Sequence, residues 1–473
     1  MRIAPARYLI IAMIIFACIL PANATIVDVS PVDAPQGAVI LIMDGVSSCY
    51  IYPEFTPYAI DGSILDKAEI KNMSFIFGQS CRVLDVTAPQ TYTEAGHSVL
   101  VTGYSKAIGE LVEGSETTIY DVAHDYDYLT FAIMEKGDFA AMCNKQDVVV
   151  HDVANSVNNP EMIVKTNVHS AEKKQISMDM ASLLQNEASL IHPQLQHYPE
   201  GSQERYDAYN RWAIETAIKA IDFMSTEYPN EHYILTINVG ATDSAGHYKK
   251  DSGYIATIEG VDSSCEPLYD ICNENNLAFF LTGDHGMAFP TKDSRGGHQS
   301  KTYSVIREAQ KVPFSVASHN VEAGLIKGEY GQEDIAPTIL SVLELPDELR
   351  ISDGSEMPVK EHTSISVKAF DEGDILLLEN GITRGQASNT NNCLFRGVEV
   401  GSNYTIRFLQ AGDVKNVIEK EIHLKKSENI VFNSHENKQE SSIDLNSRHI
   451  IGGTLIGLIN VTGLAMIRKV LKE

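Results

Sequence analysis

The sequence predicts an α/β protein with a mostly parallel sheet sandwiched by helices, followed by a small β-sandwich and one carboxyl-terminal transmembrane helix. Three observations predict it. Short, unbroken apolar runs end in turn residues, the pattern of strands buried on both faces. Helical patterns lie between those runs, which is the alternation of a layered α/β fold. After a Pro/Asp/Ser/Gly cluster at residues 346–358 the texture changes to short alternating segments with Gly and Asn turns. The chain has 473 residues, 44% of them hydrophobic, enough for two or three domains with a sizeable core. Its formal net charge of -26 (37 Lys+Arg against 63 Asp+Glu) comes without a basic stripe and argues against nucleic acid as a partner.

In chain order, residues 1–24 open with Arg2 and Arg7, run apolar from Tyr8 to Leu20 and close on Ala22-Asn23-Ala24, the form of a secretory signal peptide. A linker over 25–36 leads into the first buried run, Ala38 to Met43, which ends at Asp44-Gly45. Leu129 to Met134, Phe139 to Cys143, Tyr233 to Val239 and Leu277 to Leu281 are further strands of this type. Arg211 to Thr226 and Ile255 to Asn273 carry helical periodicity, and the polar stretch 155–203 reads as a cap inserted over the sheet edge. These elements delimit a first domain over 37–350. Ile365 to Phe370, Asp374 to Leu378, Gly397 to Val400, Tyr404 to Leu409 and His423 to Lys425 build the β-sandwich, a spacer domain over 361–445. Residues 450–467 carry no charge and precede Arg468, Lys469 and Lys472; at about 1.5 Å per residue they just span a bilayer, with the carboxyl end inside. The expected protein is therefore a single-pass cell-membrane protein whose catalytic domain faces outside. A homodimer is open to such a chain. Six cysteines remain after the signal, without a CxxC pair, and Asn72 and Asn403 begin glycosylation sequons.

Four clusters stand at the ends of expected strands, where the loops of an open α/β sheet build active sites. The first is Asp44-Gly45, which alone reads as a turn. In the second, Thr91 to Ser98, Thr93 precedes a helix and is either its N-cap or a nucleophile favoured by the helix dipole. The third places Asp243 and His247 four residues apart. The fourth pairs Asp284 with His285 and is followed by His298. Three carboxylates, three imidazoles and one hydroxyl suit two divalent metal ions, Zn²⁺ first and Mn²⁺ second, about 4 Å apart around a phosphoryl group. Bound cations would also make a phosphate-attracting site on a negatively charged protein.

The order Asp-Gly, Thr-Glu-Ala-Gly-His, Asp-x-x-x-His, Asp-His-Gly and a late His, spread over residues 37 to about 345, resembles the alkaline phosphatase superfamily of two-metal enzymes. Thr93-Glu94-Ala95-Gly96-His97 is most similar to the cofactor-independent phosphoglycerate mutases, and His97 to Gly103 to the nucleotide pyrophosphatase/phosphodiesterase branch. The resemblance implies an alkaline phosphatase-like core, with Asp44, Thr93, Asp284 and His285 at one metal ion and Asp243, His247 and His298 at the other. It implies a phosphothreonine formed on Thr93. Lys145, and more weakly Arg295, resemble phosphate-contacting residues of some relatives.

Departures from the family patterns narrow the reaction. No C/S-x-P/A-x-R motif stands at Thr93, which disfavours sulfate esters. Gly96 occupies the position where diesterases commonly carry Asn. Residues 104–230 show no counterpart of the mutases' second domain. The expected activity is extracytoplasmic phosphate-ester hydrolysis. Its alternatives are a phosphodiesterase or phosphotransferase/mutase on surface lipid, glycan or nucleotide, and a non-catalytic surface binding protein.

Overall fold

The computed structural model describes residues 24–137, 139–411 and 417–433. The expected membrane helix at 450–467, and all but the last residue of the expected signal, lie outside the described residues. Among the described residues no helix is long and apolar enough to cross a membrane.

The first and larger sheet has nine strands. Its parallel centre consists of β2 (Gly37–Met43), β4 (Leu129–Met134), β5 (Val148–Asp152), β7 (Tyr233–Val239) and β8 (Leu277–Thr282). Its margins are β3 (Cys81–Thr87), β6 (Met162–Thr166), β9 (Lys311–Ala317) and β10 (Gly324–Gly331). The order is β10-β3-β9-β8-β2-β7-β4-β5-β6, in which β9 and β6 run antiparallel to their neighbours. Every residue of β2, β4, β7 and β8 is buried, because helices cover both faces. Alternation along β2 divides the core. Val39, Leu41 and Met43 pack on one side with Trp212 and Tyr254, from the helices Gln203–Glu227 and Lys250–Glu274. Ala38, Ile40 and Ile42 pack on the other with Ile119, Tyr120 and the helix Ile335–Val342.

Several expectations change. Phe139 to Cys143 is not a strand: residues Ala140–Asn144 form a short helix, since Ala-Ala-Met prefers helix and the segment has no β-branched residue. The strand of this region is β5, whose Val148-Val149-Val150 is β-branched. Within the expected cap, β6 extends the sheet as its edge strand and the helix Lys174–Leu195 packs on β5 and β6.

The second sheet has six strands: β1 (Thr25–Asp28), β11 (His362–Glu379), β12 (Ile382–Glu399), β13 (Asn403–Gln410), β14 (Val417–His423) and β15 (Glu428–Phe432). Its strands are joined by hydrogen bonds into one network, with the long β11 and β12 running through the whole of it. β12 lies along one edge of β11, while β15 pairs with the first half of the other edge and β13 with the second half. Ile365, Val367, Ile375, Leu377, Phe395 and Phe408 form its core. The expected linker at 25–36 contributes a strand to this sheet, β1 pairing in parallel with β12. The six cysteines among the described residues are all buried and unpaired.

Candidate metal centre

Because β2, β7, β8 and β4 are parallel neighbours, their carboxyl ends lie at one sheet edge, and the chain leaving each one delivers chemistry there. Asp44 follows β2. Asp243 and His247 lie in the helix Ala241–Tyr248 after β7, Asp284 and His285 follow β8, and Lys136 follows β4.

Asp44, Asp284 and His285 are fully buried. His285 Nε2 is 3.4 Å from Asp284 Oδ2, 3.8 Å from Asp44 Oδ1 and 3.1 Å from Thr93 Oγ1. Asp243 Oδ1 lies 3.3 Å from His247 Nε2 and 3.4 Å from His298 Nε2. Asp44, Asp243 and His285 also converge, so the two groups adjoin, and the His285 and His298 rings stack at 3.8 Å. The sequence-predicted set Asp44, Thr93, Asp284, His285 and the set Asp243, His247, His298 are each brought together. His247 is the partly exposed member of the second set.

The Thr93 hydroxyl does not cap its helix. Tyr92 is the N-cap of the helix Thr93–Thr102, and Thr93 begins the first turn with its hydroxyl turned to His285.

Three observations fit this site to cations. The buried atoms Asp44 Oδ1, Asp243 Oδ1 and Asp284 Oδ2 accept no hydrogen bond. The Nδ1 atoms of His285 and His298 face the carbonyls of Gly286 and Thr91, at 3.0 and 2.6 Å, which turns each Nε2 toward the carboxylates as metal-ligating imidazoles are turned. The protonation pattern is that of crowded like charges. Burial, then Asp284 and Asp243, push the Asp44 carboxyl well above its usual range. Asp243 and Asp284 are held low despite burial, Asp243 chiefly by Lys136 and Asp284 chiefly by His285.

Three further residues join the site. Lys136 is buried with its ammonium 3.2 Å from Asp243 Oδ2. His97 is fully buried, with Nδ1 2.9 Å from the Thr93 carbonyl and 3.3 Å from Asp284 Oδ2. Burial disfavours its charged form, but the Asp284 carboxylate beside it outweighs this and raises its pKa. Asn238 reaches both His97 Nε2 and Asp44 Oδ2. Asn238 was detectable as a polar residue inside an otherwise apolar run, and Lys136 as a charge just past a buried strand. Lys145 and Arg295 are not brought in: Lys145 pairs with Asp121 at 2.8 Å and Arg295 is exposed.

Residues 208–347 match the model of the Metalloenzyme superfamily. Two 2,3-bisphosphoglycerate-independent phosphoglycerate mutases are similar. That of Mycoplasma pneumoniae is 29% identical over 133 residues, covering 28% of this chain and 25% of the mutase. That of Clostridioides difficile is 28% identical over 139 residues, covering 29% and 26%. The chain thus spans about a quarter of the length of these relatives. Among solved structures, the lipoteichoic acid synthase LtaP from Listeria monocytogenes has a TM-score of 0.46 at 10% identity, over 70% of this chain and 78% of the synthase. The alkaline phosphatase PafA has a TM-score of 0.44 at 12% identity, over 67% and 97%. In its motif order and over residues 208–347, the chain is similar to metalloenzymes of the alkaline phosphatase superfamily.

Proposed function

We propose that this chain is a metal-dependent hydrolase of phosphate monoesters that acts through Thr93. One observation carries the reading: a buried hydroxyl, not used as a helix cap, stands 3.1 Å from His285 Nε2 beside three buried carboxylates with unpaired oxygens. Two divalent ions held by Asp44, Thr93, Asp284 and His285 and by Asp243, His247 and His298 would lower the pKa of the hydroxyl and offset charge on the phosphoryl group. Imidazole with carboxylate favours Zn²⁺, then Mn²⁺.

In this reading Thr93 Oγ1 attacks phosphorus in line, the bond to the leaving alcohol breaks, and water then cleaves the phosphothreonine. The first turn of the helix Thr93–Thr102 favours the anion at its amino end. His97 fixes the Thr93 carbonyl and Asp284, and Lys136 adds positive charge at Asp243. Gly96 supports monoesters over diesters. A Cβ there would lie 2.4 Å from the Asp284 carbonyl oxygen, so this backbone has no room for the Asn common in diesterases of the superfamily. We place the enzyme outside the cell, tethered by residues 450–467, with 361–445 as a spacer; recovery of the full-length protein in the soluble fraction would remove that part.

The test is turnover of chromogenic phosphate monoester, phosphate diester and sulfate ester by purified protein, after chelation and with Zn²⁺ or Mn²⁺ restored. The monoester should turn over fastest, only with metal. Thr93→Ala should lower kcat by roughly 10³-fold or more with an unchanged melting temperature. Full activity in Thr93→Ala overturns the mechanism, and a preference for sulfate or diester overturns the substrate class.

A further inference from the structure

A second convergence of imidazole and carboxylate lies at the opposite edge of the large sheet. Asp147 directly precedes β5, and its N–H bonds the Thr130 carbonyl near the start of β4, so it sits at the amino ends of strands whose carboxyl ends carry the metal centre. Its buried carboxylate is met from two sides. Oδ2 is 3.1 Å from His124 Nε2, and Oδ1 is 3.1 Å from His169 Nδ1. The two rings stack at 4.1 Å between centroids. His124 comes from the last turn of the helix Ile119–Asp125, and His169 from the segment after β6. Three elements distant in sequence thus each place one group here.

The geometry already approaches that of a bound ion. Donor atoms about 2.0–2.1 Å from a tetrahedral Zn²⁺ are separated by roughly 3.3 Å. Each imidazole nitrogen lies 3.1 Å from one of the two Asp147 oxygens, and one ligand atom from each of the three residues lies within 4.8 Å of the others. Neither converging nitrogen is bonded to a backbone carbonyl; besides Asp147, His124 Nε2 meets only the Thr130 hydroxyl, at 3.0 Å. Asp147 is oriented by the Thr130 N–H at 2.9 Å, as a ligating carboxylate is oriented by its outer shell. His169 is partly exposed, so the group is reached from solvent on its side.

We propose that His124, Asp147 and His169 bind a further divalent transition cation of the Zn²⁺ class. Two imidazoles exclude Mg²⁺ and Ca²⁺, which take oxygen. The ion would join the helix Ile119–Asp125, the β4–β5 edge and the chain leading into the helix Lys174–Leu195. Its role is structural, since it sits at the sheet edge away from Thr93.

The test is Zn²⁺ uptake by the metal-stripped full chain, read by elemental analysis after gel filtration, with melting temperature and ester turnover on the same samples. Wild type should hold one ion more per chain than His169→Ala, and added Zn²⁺ should raise its melting temperature further. His169→Ala should keep its turnover, and His169→Cys should regain the ion. Equal uptake by wild type and His169→Ala overturns the site and leaves a hydrogen-bonded triad. If His169→Ala misfolds by circular dichroism, Co²⁺ titration of the metal-stripped wild type decides: a third Co²⁺ per chain, beyond the two of the main centre, supports the site, and saturation at two overturns it.

Discussion

His151 isolates the effect of burial on a single titrating group. It lies in β5 with both ring nitrogens buried and unbonded. Burial first, then the charge of Lys165 on β6, pushes its pKa from 6.5 to about 4, and the neighbouring Asp152 only partly opposes this. The folded protein therefore keeps His151 neutral while the unfolded chain takes up its proton. The stability this contributes is complete above pH 6.5 and is lost as the pH falls toward 4, at about 1.4 kcal/mol per pH unit. Urea unfolding between pH 7 and 4 should show this slope in wild type, and His151→Leu should flatten it. The same scale explains what could be read in advance at the main centre. Asp44, Asp243, Asp284 and the three ligand histidines stand in motifs at strand ends, whereas the pairing of Lys136 with Asp243 and of His97 with Asp284 joins residues more than a hundred apart and comes only with the fold.

Gly96 shows how tightly the elements around the centre meet. It lies in the helix Thr93–Thr102, where alanine is ordinarily better by about 1 kcal/mol. Here a Cβ would press on the Asp284 carbonyl oxygen, which already accepts a 2.6 Å bond from the buried Gln332 amide. Overpacking costs of about 1–3 kcal/mol outweigh the helical gain. Gly96→Ala should therefore lower the melting temperature and weaken Zn²⁺ binding together; a stabilised variant would mean that the helix moves freely against the loop after β8. Elements differ likewise in legibility. β2, β4, β7 and β8 are apolar throughout and plain in the sequence. β3 is not, because Arg82 and Asp85 interrupt it, and only the fold supplies their partners Glu54 and Lys311. β10, at the sheet margin, alternates exposed and half-buried residues and resembles a loop.

At the scale of the molecule, the feature invisible in the sequence is β1. Four residues next to an apolar run carry no sign of their partner, since Thr25 pairs with Cys393 and Asp28 with Arg396, more than 360 residues on. Val27 and Val29 rest on the core of the second sheet. Removing residues 24–30 should destabilise that sheet by about 1–3 kcal/mol and expose the edge of β12 to aggregation, while ester turnover by the remaining enzyme is unchanged. Scanning calorimetry with parallel assays checks this, and lost turnover would mean that the second sheet supports the first. The pairing also has a mechanical consequence. β1 and β15 both belong to the six-stranded sheet. A pull between them runs across β1, β12, β11 and β15 and bypasses residues 37–345, so the nine-stranded sheet hangs beside the line of force and keeps its geometry.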